Sequence, residues 1–342
     1  MIDQRLLPAE FHTIYLETPE AVAEAIRDMA VRGAPAIGAS AAFGLALAAH
    51  QAEGQTSQAV WDQVVAKSET LRAARPTAVN LGWALDRMLA RGRAQLQHPP
   101  ESLRQAMLEE ARRIADEDVL INTRMGEHGA ALIEDGDTVI HHCNTGALAT
   151  VDFGTALGVI RSAHEAGKRL HVLVDETRPR LQGARLTAWE LEQYGIGYEI
   201  IADNAAGSFL QGGTVSGVFV GADRVAANGD VANKIGTYML ALAAKDNQVP
   251  FYAVVPTSTI DLSLRSGDLI PIEERDPAEV LGLEREGRPM SPVNSRARNP
   301  AFDVTPHALV SAIVTEVGVI QPPYRTGLAE AVEEAKLLWT SS

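Results

Sequence analysis

The chain has 342 residues, 46% hydrophobic and 22% charged, enough for a substantial core and about two domains at roughly 100 to 200 residues each. Its 44 Asp and Glu against 30 Lys and Arg give a formal charge of −14, which repels polyanions and excludes general nucleic-acid binding, so an anionic ligand must meet locally placed cations. One cysteine excludes an intramolecular disulfide and a cysteine-built zinc site; because the start, Met1 to Pro8, also lacks the basic and apolar regions of a secretory signal, the cytoplasm is the expected compartment.

Residues 1–134 predict helices. Thr18-Pro19 supplies an N-cap and a first-turn proline for a helix to about Met29, and an Ala-rich helix follows Pro35. The run Ala36 to Ala49 is the longest apolar stretch, but Gly38, Ser40 and Gly44 interrupt it and it falls short of the roughly 18 residues of a membrane span. Further helices are expected over about 57–73 and 77–92. A long amphipathic helix over about 102–133 places Leu103, Met107, Ala111, Ile114 and Ile121 at helical spacing. From 135 to 342 the pattern changes. Short Val- and Ile-rich runs at 138–142, 170–174, 198–202, 217–221 and 251–255 alternate with helical patterns near 147–166, 183–195, 204–211 and 231–245, and a last helix is expected to open at Thr305-Pro306. The expected fold class is therefore α/β: an N-terminal helical domain over 1–134 followed by a Rossmann-like domain over 135–342 with a mostly parallel sheet covered on both faces.

Such sheets bind ligands beyond the carboxyl ends of their strands, which directs attention to Cys143 after "VIHH", Asp175 after "LHVLV", Asp203 after "YEIIA" and Asp223 after "VFVGA". Each has a bland alternative: a cysteine is often a small buried filler, and a strand-end aspartate often caps the next turn. His141 and His142 read as satisfied or solvated histidines rather than ligands. Asn144-Thr145-Gly146 reads either as an ordinary turn or as backbone N–H groups at a helix N-terminus beside the thiol, suited to a phosphate or an oxyanion. Cations stand at Arg32 before a Gly-Ala-Pro turn, at Arg75 before another helix start, and at Lys234, expected in the first turn of a helix, where the dipole prefers an acid.

The runs "VRGAPAIGASAAFGLALA", "RPTAVNLGWALDRM", "HCNTGALAT", "DETRPRLQGARLTAWEL", "VGADRVAANGDVANKIGTYMLA" and "NPAFDVTPHALVSAIVTEVG" closely resemble the methylthioribose-1-phosphate isomerase family of methionine salvage, over roughly residues 25 to 320. The wider superfamily also holds the alpha, beta and delta regulatory subunits of a eukaryotic translation-initiation exchange factor, ribose-1,5-bisphosphate isomerase and 5-deoxyribose-1-phosphate isomerase, and fold alone does not choose among them. The resemblance implies that Cys143 and Asp223 are the catalytic pair and that Arg32, Gly33, Ala34, Arg75, Gln182, Asn233 and Lys234 hold the sugar phosphate. It implies no cofactor, no metal and a homodimer, and it assigns Asp175 and Asp203 no catalytic role. One local departure follows the thiol: Val151-Asp152-Phe153 stands where relatives often carry Ala-Gly-Tyr.

The implied chemistry accounts for these residue types. In 5-methylthioribose 1-phosphate, C1 carries the phosphate and is locked in the furanose ring, so the ring must open with the phosphate attached. An acid protonates the ring oxygen, a hydrogen moves from C2 to C1, and the C2 hydroxyl loses its proton. Asp223 is the expected acid/base, for which an apolar pocket favours the neutral carboxyl; Cys143 either removes the C2 proton or assists transfer of the C2 hydrogen as hydride to an oxocarbenium-like C1. A 5-phosphate would need a second basic cluster, which the motifs lack, so the bisphosphate is expected to be a poor substrate. A nicotinamide-dependent dehydrogenase is disfavoured because no G-x-G-x-x-G fingerprint joins the first strand to its helix. A purely regulatory subunit would have no use for the Cys143 and Asp223 pair.

Overall fold

The structure, a computed structural model, describes residues 1–76 and 78–340; Thr77, where the sequence predicts the fourth helix to begin, lies outside the described residues. The chain forms two compact units, residues 1–122 with 146–154 and residues 123–145 with 155–342, an interleaving that no single cut along the chain expresses.

The first unit is helical. It contains α1 (Pro19–Arg27), α2 (Ala34–Gln51), α3 (Ser57–Arg72), α4 (Val79–Arg93) and α5 (Pro100–Ala130) as far as Asn122. Thr18 and Thr56 start α1 and α3 by accepting the Ala21 and Ala59 N–H groups at 3.1 and 3.2 Å. The longest apolar run is the helix α2, buried along most of its length because it is apolar on nearly every side. Leu45, Leu71, Leu85, Met88, Leu103 and Met107 complete its core, each leucine contributing roughly 1.5 to 3 kcal/mol of burial. No helix among the described residues is long and apolar enough to cross a membrane.

In the second unit the elements run β1 (Thr138–His141), α6 (Ala156–Glu165), β2 (His171–Asp175), α7 (Ala188–Tyr194), β3 (Gly197–Ile201), α8 (Ala206–Gln211), β4 (Gly217–Val220), β5 (Arg224–Ala226), β6 (Val231–Lys234), α9 (Thr237–Asp246) and β7 (Phe251–Val254). There follow β8 (Ile260–Asp261), α10 (Ala278–Leu281), β9 (Glu284–Arg285), β10 (Arg288–Pro289), β11 (Phe302–Thr305), β12 (Ala312–Thr315), β13 (Gly318–Ile320) and α11 (Tyr324–Thr340). Seven strands form one sheet in the order β13-β12-β7-β4-β1-β2-β3, parallel except for β13. From β1 the chain builds outward through β2 and β3; from β4 it builds the other way through β7 and β12. The order therefore reverses between β1 and β4, the topological switch point at which α/β sheets bind ligands. The five expected strands are all in this sheet. A second sheet, β11-β6-β5-β8, has no counterpart in the sequence expectation.

Three expected helices are corrected. Residues 231–245 split into β6 and α9, because Val231 to Lys234 pairs along its whole length with β11 before Gly236, at φ +104, turns the chain. Thr305-Pro306 opens only a single 3₁₀ turn, His307–Leu309, and the β-branched run that follows becomes β12, held parallel to β7. The span 147–166 holds a single 3₁₀ turn, Ala147–Ala149, and regular helix only from Ala156.

Within the first unit the segment 146–154 is tied by Gln4 Nε2, which donates to Leu148 O at 2.6 Å, and by Asp118 on α5, whose Oδ2 accepts the Val151 N–H at 2.7 Å. Burial pushes the Asp118 carboxyl up to about 7, outweighing the stabilising Val151 hydrogen bond, and Asp152 adds to the rise. An unfolded aspartate ionises near 3.8, so between about pH 4 and 7 the folded state binds more protons and stability falls as pH rises. Asp118→Asn should flatten that fall. Urea denaturation of both proteins at pH 5 and pH 8 checks it, and an equal loss in the two would contradict the assignment.

Candidate functional site

Cys143 follows β1 and Asp223 follows β4, the two strands that flank the switch point; His141 pairs with Phe219 in register, so the two residues leave the sheet from neighbouring strand ends. The segment after β4 lies close to the turn after β1. A Cβ on Gly221 would stand 2.8 Å from Thr145 Cγ2, so a residue with no side chain is needed there.

Cys143 is buried and left-handed, with φ +68. Both of its backbone groups are held by threonines: its N–H donates to Thr177 Oγ1 at 2.9 Å, and its carbonyl accepts from Thr187 Oγ1 at 2.7 Å. Thr187 ends a π turn, Gly183–Thr187, which lies so near the end of β2 that a Cβ on Gly183 would stand 1.7 Å from Asp175 O. Asn144 does not offer a helix N-terminus to an anion, as one reading of the sequence had it; no regular helix starts there, and its side chain donates to Glu190 Oε1 at 2.7 Å and Thr187 Oγ1 at 3.2 Å. Of the seven non-glycine residues with positive φ among those described, Cys143, Thr177 and Leu181 fall in the two loops at this edge. Strain gathered in that way is a mark of functional sites.

The two histidines are both fully enclosed but differ in charge. Burial pushes His141 down to about 3, so it is neutral, with Nδ1–H donating to Phe219 O at 2.9 Å and Nε2 facing Thr145 Oγ1 at 3.3 Å. Burial acts on His142 in the same sense, but the Asp175 hydrogen bond and charge, the Asp203 charge and the Ile235 carbonyl outweigh it and raise its pKa. Burial also raises Asp175, so ring and carboxyl compete for one proton. Because both ring nitrogens face acceptors, Asp175 Oδ2 at 2.8 Å and Ile235 O at 3.0 Å, the proton belongs to the ring. Asp203 caps the next loop, accepting the Thr177 and Arg178 N–H groups at 2.6 and 2.7 Å. His142, Asp175 and Asp203 could supply metal ligands within 4.8 Å of one another, yet both ring nitrogens and both Asp203 oxygens already have these protein partners.

Lys234 ends the strand β6 and is not in a helical turn. Its Nζ donates to Ala301 O at 2.9 Å and lies 4.6 Å from the Phe302 ring centre. The acid that the α9 dipole favours comes from β11: Asp303 accepts the Gly236 and Tyr238 N–H groups at 2.8 and 3.0 Å. Asn233 is buried and donates to Thr237 Oγ1 at 3.1 Å. Gln182 is buried just before the π turn, and its Oε1 accepts no hydrogen bond from the described residues. The second unit thus brings Cys143, Gln182, Asp223, Asn233 and Lys234 to the loops and strand ends of one α/β unit. In the first unit, Gly33 caps α2 at φ +95 with its backbone against Ala149, Arg32 precedes it, Ala34 opens the helix, and Arg75 stands ahead of α4. The sequence reading gave no weight to Thr177, Thr187 or Glu190, whose contacts cross 34, 44 and 46 residues and have no local spacing signal.

Residues 30–322 match the model of the initiation factor 2 subunit family. The chain belongs to that family. It is 52% identical over 332 residues to the methylthioribose-1-phosphate isomerase of Synechococcus sp., covering 97% of this chain and 94% of that protein. It is 53% identical over 336 residues to the protein of that name from Roseiflexus castenholzii, covering 97% and 94%. The crystal structure of 5-methylthioribose 1-phosphate isomerase from Pyrococcus horikoshii superimposes with a TM-score of 0.91 at 48% identity, covering 97% of this chain and 92% of the other. That of translation initiation factor eIF-2B subunit delta from A. fulgidus gives 0.88 at 43% identity, covering 97% and 96%.

The threonine clamp makes a direct prediction. Thr177→Val keeps the shape but leaves the buried Cys143 N–H without an acceptor, and it should lower the unfolding free energy by about 1 to 3 kcal/mol. Thr177→Ser, which keeps the hydroxyl, should recover most of that loss in urea denaturation. Equal stability of the Val variant and the parent would show that the clamp carries no load.

Proposed function

We propose that this chain converts 5-methylthioribose 1-phosphate to 5-methylthioribulose 1-phosphate, an aldose–ketose isomerisation in methionine salvage, with Cys143 and Asp223 as the acid/base pair. The observation that carries this reading is their placement after the two strands flanking the switch point, in a chain about half identical over nearly its full length to proteins named for that activity.

Asp223 gives a proton to the ring oxygen as its bond to C1 breaks. In one route Cys143 thiolate then takes the C2 proton, leaving an enol phosphate, and returns it to C1 while the Asp223 carboxylate removes the C2 hydroxyl proton. In the other, the C2 hydrogen crosses to C1 as hydride while the same carboxylate takes the hydroxyl proton. Either route balances with no external oxidant or reductant. Cys143 is itself buried, which supports the water exclusion that both require. Gln182, Asn233 and Lys234 are read as groups that hold the sugar phosphate, a role the resemblance also assigns to Arg32, Gly33, Ala34 and Arg75. A reducing cytoplasm is the compartment in which such a thiol stays available.

The test is a coupled assay with three sugar phosphates. Cys143→Ala and Asp223→Asn should each lower turnover by roughly 10² to 10⁴ while product binding persists. 5-Methylthioribose 1-phosphate should rank above 5-deoxyribose 1-phosphate, which buries less apolar surface, and far above ribose 1,5-bisphosphate, whose second phosphate needs further cations. The bisphosphate ranking first would move the chain to another branch. No turnover of any of them would favour a regulatory role, a reading to which the likeness to the A. fulgidus subunit lends support.

A homodimer is part of the same proposal. Tyr238, Met239 and Leu242 on α9 and Phe209 on α8 are exposed apolar groups of the second unit, the kind of patch an isologous pairing covers. Light scattering should return about twice the 36.6 kDa chain mass, and the single-chain mass would refute the pairing.

A further inference from the structure

His142 and Asp175, each 1% exposed, are a buried ionisable pair beside Cys143, and the reaction as written gives neither a role. The imidazole is a three-way junction. It belongs to the β1 end that carries Cys143; its Nδ1 meets Asp175 Oδ2 at the β2 end at 2.8 Å; its Nε2 meets Ile235 O, in the turn directly after Asn233-Lys234, at 3.0 Å. The path closes through the backbone: Thr177 Oγ1 donates to Asp175 O at 2.9 Å and accepts the Cys143 N–H at 2.9 Å. The far turn has little slack, since Asp303 holds the Gly236 and Tyr238 N–H groups and a Cβ on Gly236 would come within 3.0 Å of His142 Cε1.

Two buried, ionisable side chains are costly to enclose, and an apolar pair of the same volume would cost less. What an apolar pair could not do is fix distances: only a ring with a nitrogen at each end spans from a carboxylate on one strand to a carbonyl on another segment. We propose that His142 and Asp175 are a positioning pair for the isomerisation, holding the Cys143 turn in register with the Asn233–Lys234 segment so that a substrate gripped by the second presents C1 and C2 to the first. This rests on the isomerase reading above. The pair touches no reacting atom and acts through the placement of others, and a displacement of about 1 Å in such a link costs about 10²-fold in rate.

The experiment measures kcat with 5-methylthioribose 1-phosphate and the product Kd by calorimetry for the parent chain, His142→Ala, His142→Gln and Asp175→Asn. His142→Ala should lose about 30- to 100-fold in kcat with the product Kd changed by less than about threefold, because the phosphate grip survives while the alignment does not. Asp175→Asn should keep kcat within about fivefold, since its amide can donate to a neutral ring Nδ1 while Nε2–H still reaches Ile235 O. If His142→Ala does not fold, His142→Gln, which keeps a donor near Ile235 O but loses Asp175, should show about a tenfold kcat loss at unchanged product Kd. Parent-like kcat in the folded His142 variants overturns the proposal. So does a parallel loss of kcat and product affinity, or an Asp175→Asn loss as large as that of His142→Ala. An inactive parent brings down the isomerase reading and this inference with it; an active parent with active His142 variants brings down only the inference.

Discussion

The arrangement of the second unit depends on one chain reversal, the left-handed Cys143 after β1. Holding a residue with a Cβ at φ +68 costs about 1 to 2 kcal/mol, and the turn persists because its backbone N–H and C=O are both taken by buried hydroxyls. Those hydroxyls must arrive from two directions. Thr177 comes from the loop after β2, a loop that Asp203 ties down from the end of β3; Thr187 comes from the π turn, which reaches the strand edge because Gly183 has no side chain. A single unfavourable dihedral is therefore offset by three consecutive strand ends, and the thiol inherits a fixed direction that a regular βα turn would not give it.

The same edge shows how an acidic chain can keep positive charge where it is wanted. The net charge of −14 sets the outer field, but enclosure makes local partners decisive. Neighbouring histidines on one strand end differ for that reason: His141 meets a carbonyl and a hydroxyl and stays neutral, while His142 meets the Asp175 carboxylate and holds its proton. Lys234 and Asp303 divide labour in a similar way. The carboxylate caps the helix from a different strand, so the ammonium is not left opposing the helix dipole.

The parallel sheet was legible because buried parallel strands are short, uniformly apolar and separated by helix-length crossovers, a signal that survives without knowledge of neighbours. Errors fall where a neighbour decides. Val231 to Lys234 is strand because β11 pairs with it, and Ala312 to Thr315 is strand because β7 and β13 flank it; neither partner can be read from the local pattern. The stretch 147–166 carries the helical period throughout, yet its first turns join the first unit as the segment 146–154 and regular helix waits until Ala156. In the site, residue types at strand ends could be read off the chain, whereas the threonines that clamp Cys143 could not, since threonine is common and their partners are more than thirty residues away.

Topology also separates what the sequence left equivalent. Four strand-end residues, Cys143, Asp175, Asp203 and Asp223, began with similar claims to chemistry. Asp175 and Asp203 follow β2 and β3, to one side of the switch point, and their carboxylates are occupied in pairing with His142 and in capping the loop at Thr177 and Arg178. Cys143 and Asp223 follow β1 and β4, between which the strand order reverses, the position at which α/β sheets bind ligands. Strand-end aspartates in similar sequence contexts thus divide into two whose carboxylates tie the edge together and one that stands at the switch point. The two also set the surroundings of the thiol: Asp203 orders the loop that brings Thr177 to Cys143, and Asp175 orders the ring that reaches Ile235, so the geometry at the end of β1 is fixed from one and two strands away.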